Sequence, residues 1–203
     1  MPKDTLNDFE QIKNFFEKNE IVLTTKILNK NGFCNQKIKK LLDSKIIEKL
    51  KRGYYHYLLS DYSYCEIPIL TSLFPEGVLY LESALDYYDY TDRIPNAWHI
   101  ALDRNKSRKQ IEIQYPIVKL HFIKNFSLGI TKIKVDGTEI KIYDKERTIC
   151  DCIKNRNKMD YEQYCKSIKG YVNDKNKRIG VLAEYAFKLG IEKKVKEILG
   201  PWL

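Results

Sequence analysis

The 203-residue sequence lacks the features that mark membrane proteins and disulfide-bonded secreted proteins. It has no run of about 18 apolar residues, which a membrane-spanning helix would need. Its N-terminus, MPKDTLNDFEQ, lacks the basic and then apolar pattern of a signal peptide. The five cysteines are odd in number and scattered, which does not fit a disulfide framework. We therefore expect a cytoplasmic protein whose cysteines are free and buried.

Signals of metal binding and of nucleotide chemistry are also missing. Only Cys150 and Cys152 lie close together, and on a helix their side chains would point about 200° apart, too far to bind one ion. The chain has no G-x4-GK-[ST], G-x-G-x-x-G or G-x-S-x-G sequence. His56, His99 and His121 are isolated within strand-like runs. The sequence thus predicts no metal, no cofactor and no nucleotide-consuming activity.

What the sequence does have is positive charge, distributed unevenly. The formal net charge is +9, and hydrophobic residues make up 43% of the chain, enough for a folded core. Residues 21–60 are rich in lysine, residues 61–103 carry eight acidic residues against Arg93 alone, and the rest is basic again. Two basic blocks around an acidic one suggest that separate surfaces contact a polyanion. A general lysine bias is the alternative, and the acidic middle argues against it.

The first sixty residues show three predicted helices followed by a β-hairpin. Apolar spacings of three and four indicate a first helix near residues 6–16. Thr24 can cap a short second helix, and Gly32 suits a left-handed stop after it. A third helix is predicted near residues 34–44, and β-prone runs flank the turn at residues 51–53. This order predicts a winged helix-turn-helix, with the third helix reading DNA and the hairpin as the wing.

The side chains of this predicted module suit duplex DNA. Amides at the start of a recognition helix can pair with adenine in the major groove. Lysine and arginine neutralise phosphates and release counterions, and threonine hydroxyls can donate to the DNA backbone. The candidate DNA-binding residues are Thr24, Thr25, Asn35, Gln36, Lys37, Lys39, Lys40, Lys51 and Arg52. A merely solvated lysine-rich helix, or a winged helix that binds protein, is the alternative.

The remainder of the chain predicts an α+β domain. Helices are expected at residues 64–74, 80–90, 145–155, 160–172, 178–189 and 191–199, strands at residues 98–102 and 117–123, and a hairpin around Asp136-Gly137. The overall prediction is α+β, with a winged helix-turn-helix in residues 1–62 and a C-terminal domain in residues 63–203. That domain should contain a small, mostly antiparallel sheet with helices. Further DNA contacts could come from the basic cluster Arg104, Lys106, Arg108 and Lys109.

The stretch IYDKERTICDCI, residues 142–153, has the charge density of an active site. Asp144 lies between a strand and a helix, at the N-cap position. Glu146 falls in the first turn, where the helix dipole favours negative charge. Arg147 and Asp151 are four residues apart and can pair across one turn. Because each charge has a local structural explanation, a structural role is favoured over catalysis.

Two other functions are open from the residues alone. Asp103, Glu139 and Lys141 have the residue types of a metal-dependent nuclease, in which carboxylates hold Mg²⁺ and a lysine orients water. Against this, Glu139 and Lys141 alternate with isoleucines as an exposed strand face would. A winged-helix regulator of another operon, with a ligand-sensing C-terminal domain, is the second alternative, although no ligand motif is recognisable.

Several segments occur in a characteristic order along nearly the whole chain. They are RGYY in the wing, YLESALDYY, IYDKERTICDCI and LAEYAFKLGIEKKVKEIL. The most specific is Tyr-Asp-x-Glu-Arg-Thr-x-x-Asp at residues 143–151, supported by Arg-Gly-x-Tyr at 52–55 and Ser-Ala-Leu at 83–85. In these features the sequence resembles the AbiEi-type antitoxins of bacterial abortive-infection, or type IV toxin–antitoxin, systems.

The resemblance implies a repressor and antitoxin that is not an enzyme. Such proteins repress their own operon by binding inverted repeats in the promoter, which implies a nucleoid-associated protein of the bacterial cytoplasm. They also counter a nucleotidyltransferase-like toxin without a stable complex. Here the resemblance assigns the DNA role to residues 35–40 and 51–52, and the antitoxin role to the region after about residue 65, without naming single residues.

Overall fold

A computed structural model of the protein describes residues 10–16, 22–58, 66–105 and 113–202. The chain forms two compact units, and each combines helices with a sheet. As far as they are described, the first comprises Met1–Pro75, Lys109–Ile117 and Val135–Thr138, and the second comprises Glu76–Arg108, Val118–Lys134 and Glu139–Leu203. The protein is therefore mixed α+β, as the sequence predicts. Within these described residues, no helix is both long enough and apolar enough to cross a membrane.

The first unit contains four helices and a small antiparallel sheet in its described part. They are α1 (residues 10–16), α2 (Thr25–Lys30), α3 (Asn35–Asp43), α4 (Glu66–Leu73), β1 (Val22–Thr24), β2 (Ile47–Lys51) and β3 (Tyr54–Tyr57). The strand order is β1-β3-β2, and both ladders are antiparallel. The sequence predicts the helices and the hairpin but not β1, which pairs with β3 and so holds the start of α2 beside the hairpin.

The core of the first unit is built from one face of each helix. Leu28 of α2 and both Ile38 and Leu41 of α3 are almost completely buried. Phe16 of α1 stacks on Tyr57 of β3 with 5.3 Å between ring centroids. Burying an apolar side chain of this size contributes about 1.5–3 kcal/mol. Because the buried residues of α3 recur at helical spacing, the opposite face of α3 is left to solvent.

The second unit contains a five-stranded sheet and a set of helices. Its strands are β4 (Val78–Leu79), β5 (Trp98–Asp103), β6 (Val118–Ile123), β7 (Ile130–Val135) and β8 (Thr138–Tyr143), where Val135 and Thr138 belong to the first unit. Its helices are α5 (Leu81–Tyr87), α6 (Lys145–Asn155), α7 (Tyr161–Asn173), α8 (Ile179–Leu189) and α9 (Glu192–Leu199), with short 3-10 helices at Arg156–Lys158 and Gly200–Trp202. The four predicted C-terminal helices correspond to α6 to α9.

The five-stranded sheet is mixed, so the prediction of a mostly antiparallel sheet is wrong. The strand order is β6-β5-β4-β8-β7. β4 is antiparallel to β5, whereas β4 with β8 and β5 with β6 are parallel ladders. The Asp136-Gly137 turn identifies the local β7–β8 connection only. The two-residue strand β4 is too short to recognise in the sequence, yet it lies at the centre of the sheet.

Helix α6 lies in the middle of the core of the second unit. Ile149, Cys150 and Cys152 are fully inaccessible, and burial raises the pKa of the Cys150 thiol to about 12. The expectation of buried cysteines holds for this pair. It is wrong for Cys34 and Cys165, which are exposed. Cys65 lies outside the described residues.

Candidate nucleic-acid interface

The start of α2 is fixed by a side-chain cap and by the hairpin turn. Thr24 Oγ1 accepts a hydrogen bond from the Ile27 amide at 3.3 Å, which is the predicted N-cap. The Thr25 amide donates to the Gly53 carbonyl at 2.9 Å. Gly53 has a φ of +81°, a left-handed conformation that favours glycine. These contacts hold the hairpin turn, including Arg52, beside the start of α2.

Helix α3 presents a polar face to solvent, formed by Asn35, Gln36, Lys39 and Lys40. We call these four residues the α3 polar face. All four side chains are exposed, whereas Lys37 is half-buried. The amides occupy the first turn and the lysines the next, so hydrogen-bonding groups lead and cations follow. This is the arrangement in which base edges are read from the start of a helix and phosphates are bound beside it.

Four cations of this region are not neutralised by carboxylates of the described chain. Lys39, Lys40, Lys49 and Arg52 make no ion pair with any described residue. Lys49, which the sequence analysis does not single out, is exposed on β2 between half-buried Glu48 and buried Leu50. No simple alternation could have identified it, because Ile47 and Leu50 are buried three residues apart and the β2–β3 pairing is irregular between Lys49 and Lys51. Cations that lack an internal partner retain their capacity to replace the counterions of a phosphate backbone.

Lys51 is placed differently from the other predicted phosphate-binding residues. Its Nζ donates to the Leu73 carbonyl at 2.9 Å and lies 4.1 Å from the centroid of the Tyr54 ring. Burial lowers the pKa of the Lys51 ammonium. The side chain therefore joins the hairpin to the end of α4 within the first unit, and its charge is engaged inside the fold.

An exposed cysteine precedes the α3 polar face. Cys34 occupies the N-cap position of α3, so its thiol lies beside the free amides of the first turn. Hydrogen bonding from the backbone amide of Lys37 favours the thiolate and lowers the pKa of Cys34. Because Cys34 adjoins Asn35, its reactivity can report on anything that covers the start of α3.

The predicted flanking cluster is described only at Arg104. Arg104 is exposed, and its amide donates to the Ile123 carbonyl at 3.1 Å, which continues the β5–β6 pairing. Lys106, Arg108 and Lys109 lie outside the described residues. A role of this cluster in binding DNA stays a prediction.

In the second unit, the charged stretch 142–153 forms a network of ion pairs. Asp144 caps α6 by accepting from the Arg147 amide at 2.9 Å. Glu146 is fully buried and accepts from the Arg178 amide at 2.8 Å and from Arg178 Nε at 3.1 Å. Arg147 Nε donates to Asp151 at 2.7 Å, and both side chains are almost inaccessible. The sequence predicts the cap and the Arg147–Asp151 pair. It does not predict the pairing of Glu146 with Arg178, which lies 32 residues after Glu146.

Arg147 also ties α6 to the segment between β6 and β7. Its Nη1 donates to the carbonyls of Asn125 at 2.8 Å and Leu128 at 2.9 Å. The next residue, Gly129, packs so closely that an added Cβ would lie 2.6 Å from the Cβ of Arg147. The Asp144 amide donates to the Gly129 carbonyl at 2.8 Å. These bonds use the charges of the motif to hold the fold of the second unit.

The histidines of the second unit lie in the sheet, where they pack on each other. The rings of His99 and His121 have centroids 5.0 Å apart, on the neighbouring strands β5 and β6. Burial is the main cause that lowers the pKa of each to about 4, so both are neutral near pH 7. His99 is buried and His121 is half-buried, as expected for histidines within strands, but the two are in contact and not isolated.

The residues of the nuclease hypothesis are not arranged as a metal-binding site. β4 lies between β5, which ends at Asp103, and β8, which carries Glu139. Neighbouring strands are about 4.8 Å apart, so these carboxylates stand on strands about twice that distance apart. Glu139 pairs with Lys132 at 2.7 Å. In the described ranges, no three histidine, cysteine or carboxylate side chains are grouped to hold a metal ion.

The first unit therefore offers two exposed amides, unpaired cations and a hairpin turn fixed beside α2. Such side chains can hydrogen-bond base edges and neutralise phosphates. No protein-family model matches the chain, and a search of curated proteins found no significant match. The functional proposal consequently rests on the residues of this chain.

Proposed function

We propose that the protein binds duplex DNA through its first unit, acting as a winged helix-turn-helix. In this proposal α3 enters the major groove and the β2–β3 hairpin is the wing. The observation that carries it is the α3 polar face, whose four side chains are exposed while Ile38 and Leu41 on the other side are buried. The order of α2, turn, α3 and hairpin supports it.

The proposed contacts divide between bases and backbone. Asn35 and Gln36 pair with base edges, with adenine as the preferred partner of an amide side chain. Lys39, Lys40 and Arg52 bind phosphates, assisted by Lys37 and by Lys49 on the hairpin. Thr24 and Thr25 lie at the start of α2, where hydroxyl groups can donate to the DNA backbone. Lys51 contributes indirectly, because its ammonium holds the hairpin against the end of α4.

We further propose that the protein is an autorepressor and the antitoxin of a type IV toxin–antitoxin system. The support is the resemblance of residues 143–151 and the segments around them to AbiEi-type antitoxins. The DNA site is then an inverted repeat in the protein's own promoter, and the second unit counters a nucleotidyltransferase-like toxin without a stable complex or any catalysis. Co-expression with the product of a neighbouring nucleotidyltransferase-like gene tests this, since cells that still die would contradict the antitoxin role.

The affinity for the DNA upstream of the protein's own gene should fall steeply with salt. We expect log K to decrease linearly with log salt concentration, with a slope of about −2.7 to −4.5 for three to five neutralised phosphates per chain. Fluorescence anisotropy over a salt series measures the slope. A scrambled duplex of the same length should show a similar slope at lower affinity. A flat response would reject the phosphate contacts.

DNA binding should shield the thiol of Cys34. In the full chain with Cys65 and Cys165 changed to serine, we expect promoter DNA to slow maleimide labelling of Cys34 about tenfold, because access controls thiol reactivity. The matched control keeps Cys165 and changes Cys34 and Cys65 to serine. Its labelling rate, read by mass spectrometry, should be unaffected by DNA. Equal rates at Cys34 with and without saturating DNA would place the interface elsewhere.

A further inference from the structure

A cavity of about 400 Å³ lies beside α7 in the second unit and includes none of the residues used in the proposed function. Small-molecule sites have volumes of about 300–1,000 Å³ and mostly apolar walls. Three apolar wall residues of α7, Tyr164, Ile168 and Val172, recur at a spacing of four and so lie on one face of the helix. Ile198 of α9 and Trp202 of the final 3-10 helix complete the apolar part. Aromatic and aliphatic surfaces thus face the same space.

Among the described residues that line this cavity, the only charge is positive. Lys169 is the sole charged residue among those lining it, is exposed, and makes no ion pair with any described residue. Tyr164 is 6% exposed, and its hydroxyl is buried with no hydrogen-bond partner in the described part of the chain. That hydroxyl is inaccessible to solvent, so Lys169 is the group that can recognise the polar end of a ligand, and a cation suits an anionic one.

We propose that this cavity binds a small amphipathic carboxylate. The apolar body of the ligand lies among Ile168, Val172, Ile198 and the two aromatic rings, and its carboxylate pairs with the Lys169 ammonium. A carboxylate gains a charge-assisted bond here, whereas an alcohol gains only a neutral one and an ammonium meets repulsion. Charge therefore selects one class among molecules of the same shape. The proposal does not depend on the DNA-binding role of the first unit.

Three probes of one shape separate the contributions of charge and of the apolar body. They are 4-phenylbutyrate, 4-phenylbutanol and 4-phenylbutylamine, titrated into the full chain carrying Trp98→Phe. Trp202 is then the sole tryptophan, and it lines the cavity. We expect the carboxylate to cause a saturable change in the fluorescence of Trp202. The alcohol should bind about tenfold more weakly, because it replaces one charge-assisted bond with a neutral one. The amine should bind more weakly still.

Two variants in the same background assign the binding to this cavity. Lys169→Gln should weaken carboxylate binding about tenfold and leave alcohol binding unchanged. Lys175→Gln is the matched control, because Lys175 is also exposed and does not line the cavity, and it should bind like the parent. Val172→Phe should crowd the space without adding a tryptophan and should weaken binding of all three probes, with folding checked by thermal melting. Equal affinity for the three probes, an unchanged Lys169→Gln, or no saturable signal from folded protein would overturn the proposal.

Discussion

The triple variant Lys39→Glu, Lys40→Glu, Arg52→Glu is expected to lose about a hundredfold or more in affinity for promoter DNA, because each proposed phosphate contact becomes a repulsion. The wild-type side chains make no ion pair within the described chain, so their reversal should not break internal bonds. Thermal melting should therefore match the wild type. Anisotropy at fixed salt measures the affinity, and a promoter–reporter fusion measures repression.

The matched control reverses three lysines of the second unit, Lys175, Lys193 and Lys194, all exposed and without an ion pair to any described residue. It changes the net charge by the same amount. A small loss is expected, since charges away from the contact surface act only through a screened field. If the control loses as much affinity as the triple variant, or if the triple variant still represses, the proposed DNA surface is wrong.

Replacing Arg147 with alanine should lower the free energy of unfolding by about 3–5 kcal/mol, which is the usual effect of removing one partner of a buried ion pair. Asp151 would stay buried without its 2.7 Å partner, and two carbonyls, of Asn125 and Leu128, would lose their donor. Urea unfolding followed by circular dichroism measures the change. The matched control is Lys154→Ala, an exposed position on the same helix, which should change stability by less than about 0.5 kcal/mol.

The stability deficit of Arg147→Ala should also depend on pH. Burial raises the pKa of the Asp151 carboxyl, and the Arg147 guanidinium opposes that rise. Without Arg147, the pKa of Asp151 in the folded state should lie further above its value in the unfolded state. Between these two pKa values the folded state binds more protons than the unfolded state. The free energy of unfolding of the variant therefore falls as the pH rises through this interval. The deficit should therefore be smaller at acidic than at neutral pH. A variant as stable as the wild type that no longer protects cells from the toxin would instead assign Arg147 to partner binding.

Local patterns predict much of the first unit, because its elements are adjacent in sequence. The Thr24 cap and the Gly32 stop indicate α2, the spacing of apolar residues indicates α3, and a glycine between β-prone runs indicates the hairpin. The same patterns do not reveal that Lys51 turns inward, since its acceptor is the carbonyl of Leu73 on α4. A lysine at a hairpin tip has the same local signature whether it faces solvent or a distant carbonyl.

In the second unit, the helices are predictable and the sheet is not. The helical period fixes α6 to α9 within a few residues, and the position of Asp144 fixes the cap of α6. The parallel pairing of β4 with β8 joins segments about sixty residues apart, and neither strand carries a signal of its partner. The same holds for Glu146, whose partner Arg178 comes from the start of α8. Sequence identifies such charges but not the long-range pair that makes their burial stable.

The bond between the Thr25 amide and the Gly53 carbonyl uses main-chain atoms alone. The position of the hairpin turn is therefore independent of the side chain at residue 52, provided that residue 53 remains glycine with its φ of +81°. Under the proposed function, substitution at Arg52 should strengthen or weaken the contact with DNA while the scaffold keeps its shape. The turn would then be a point at which the strength of the proposed repression can be set one side chain at a time.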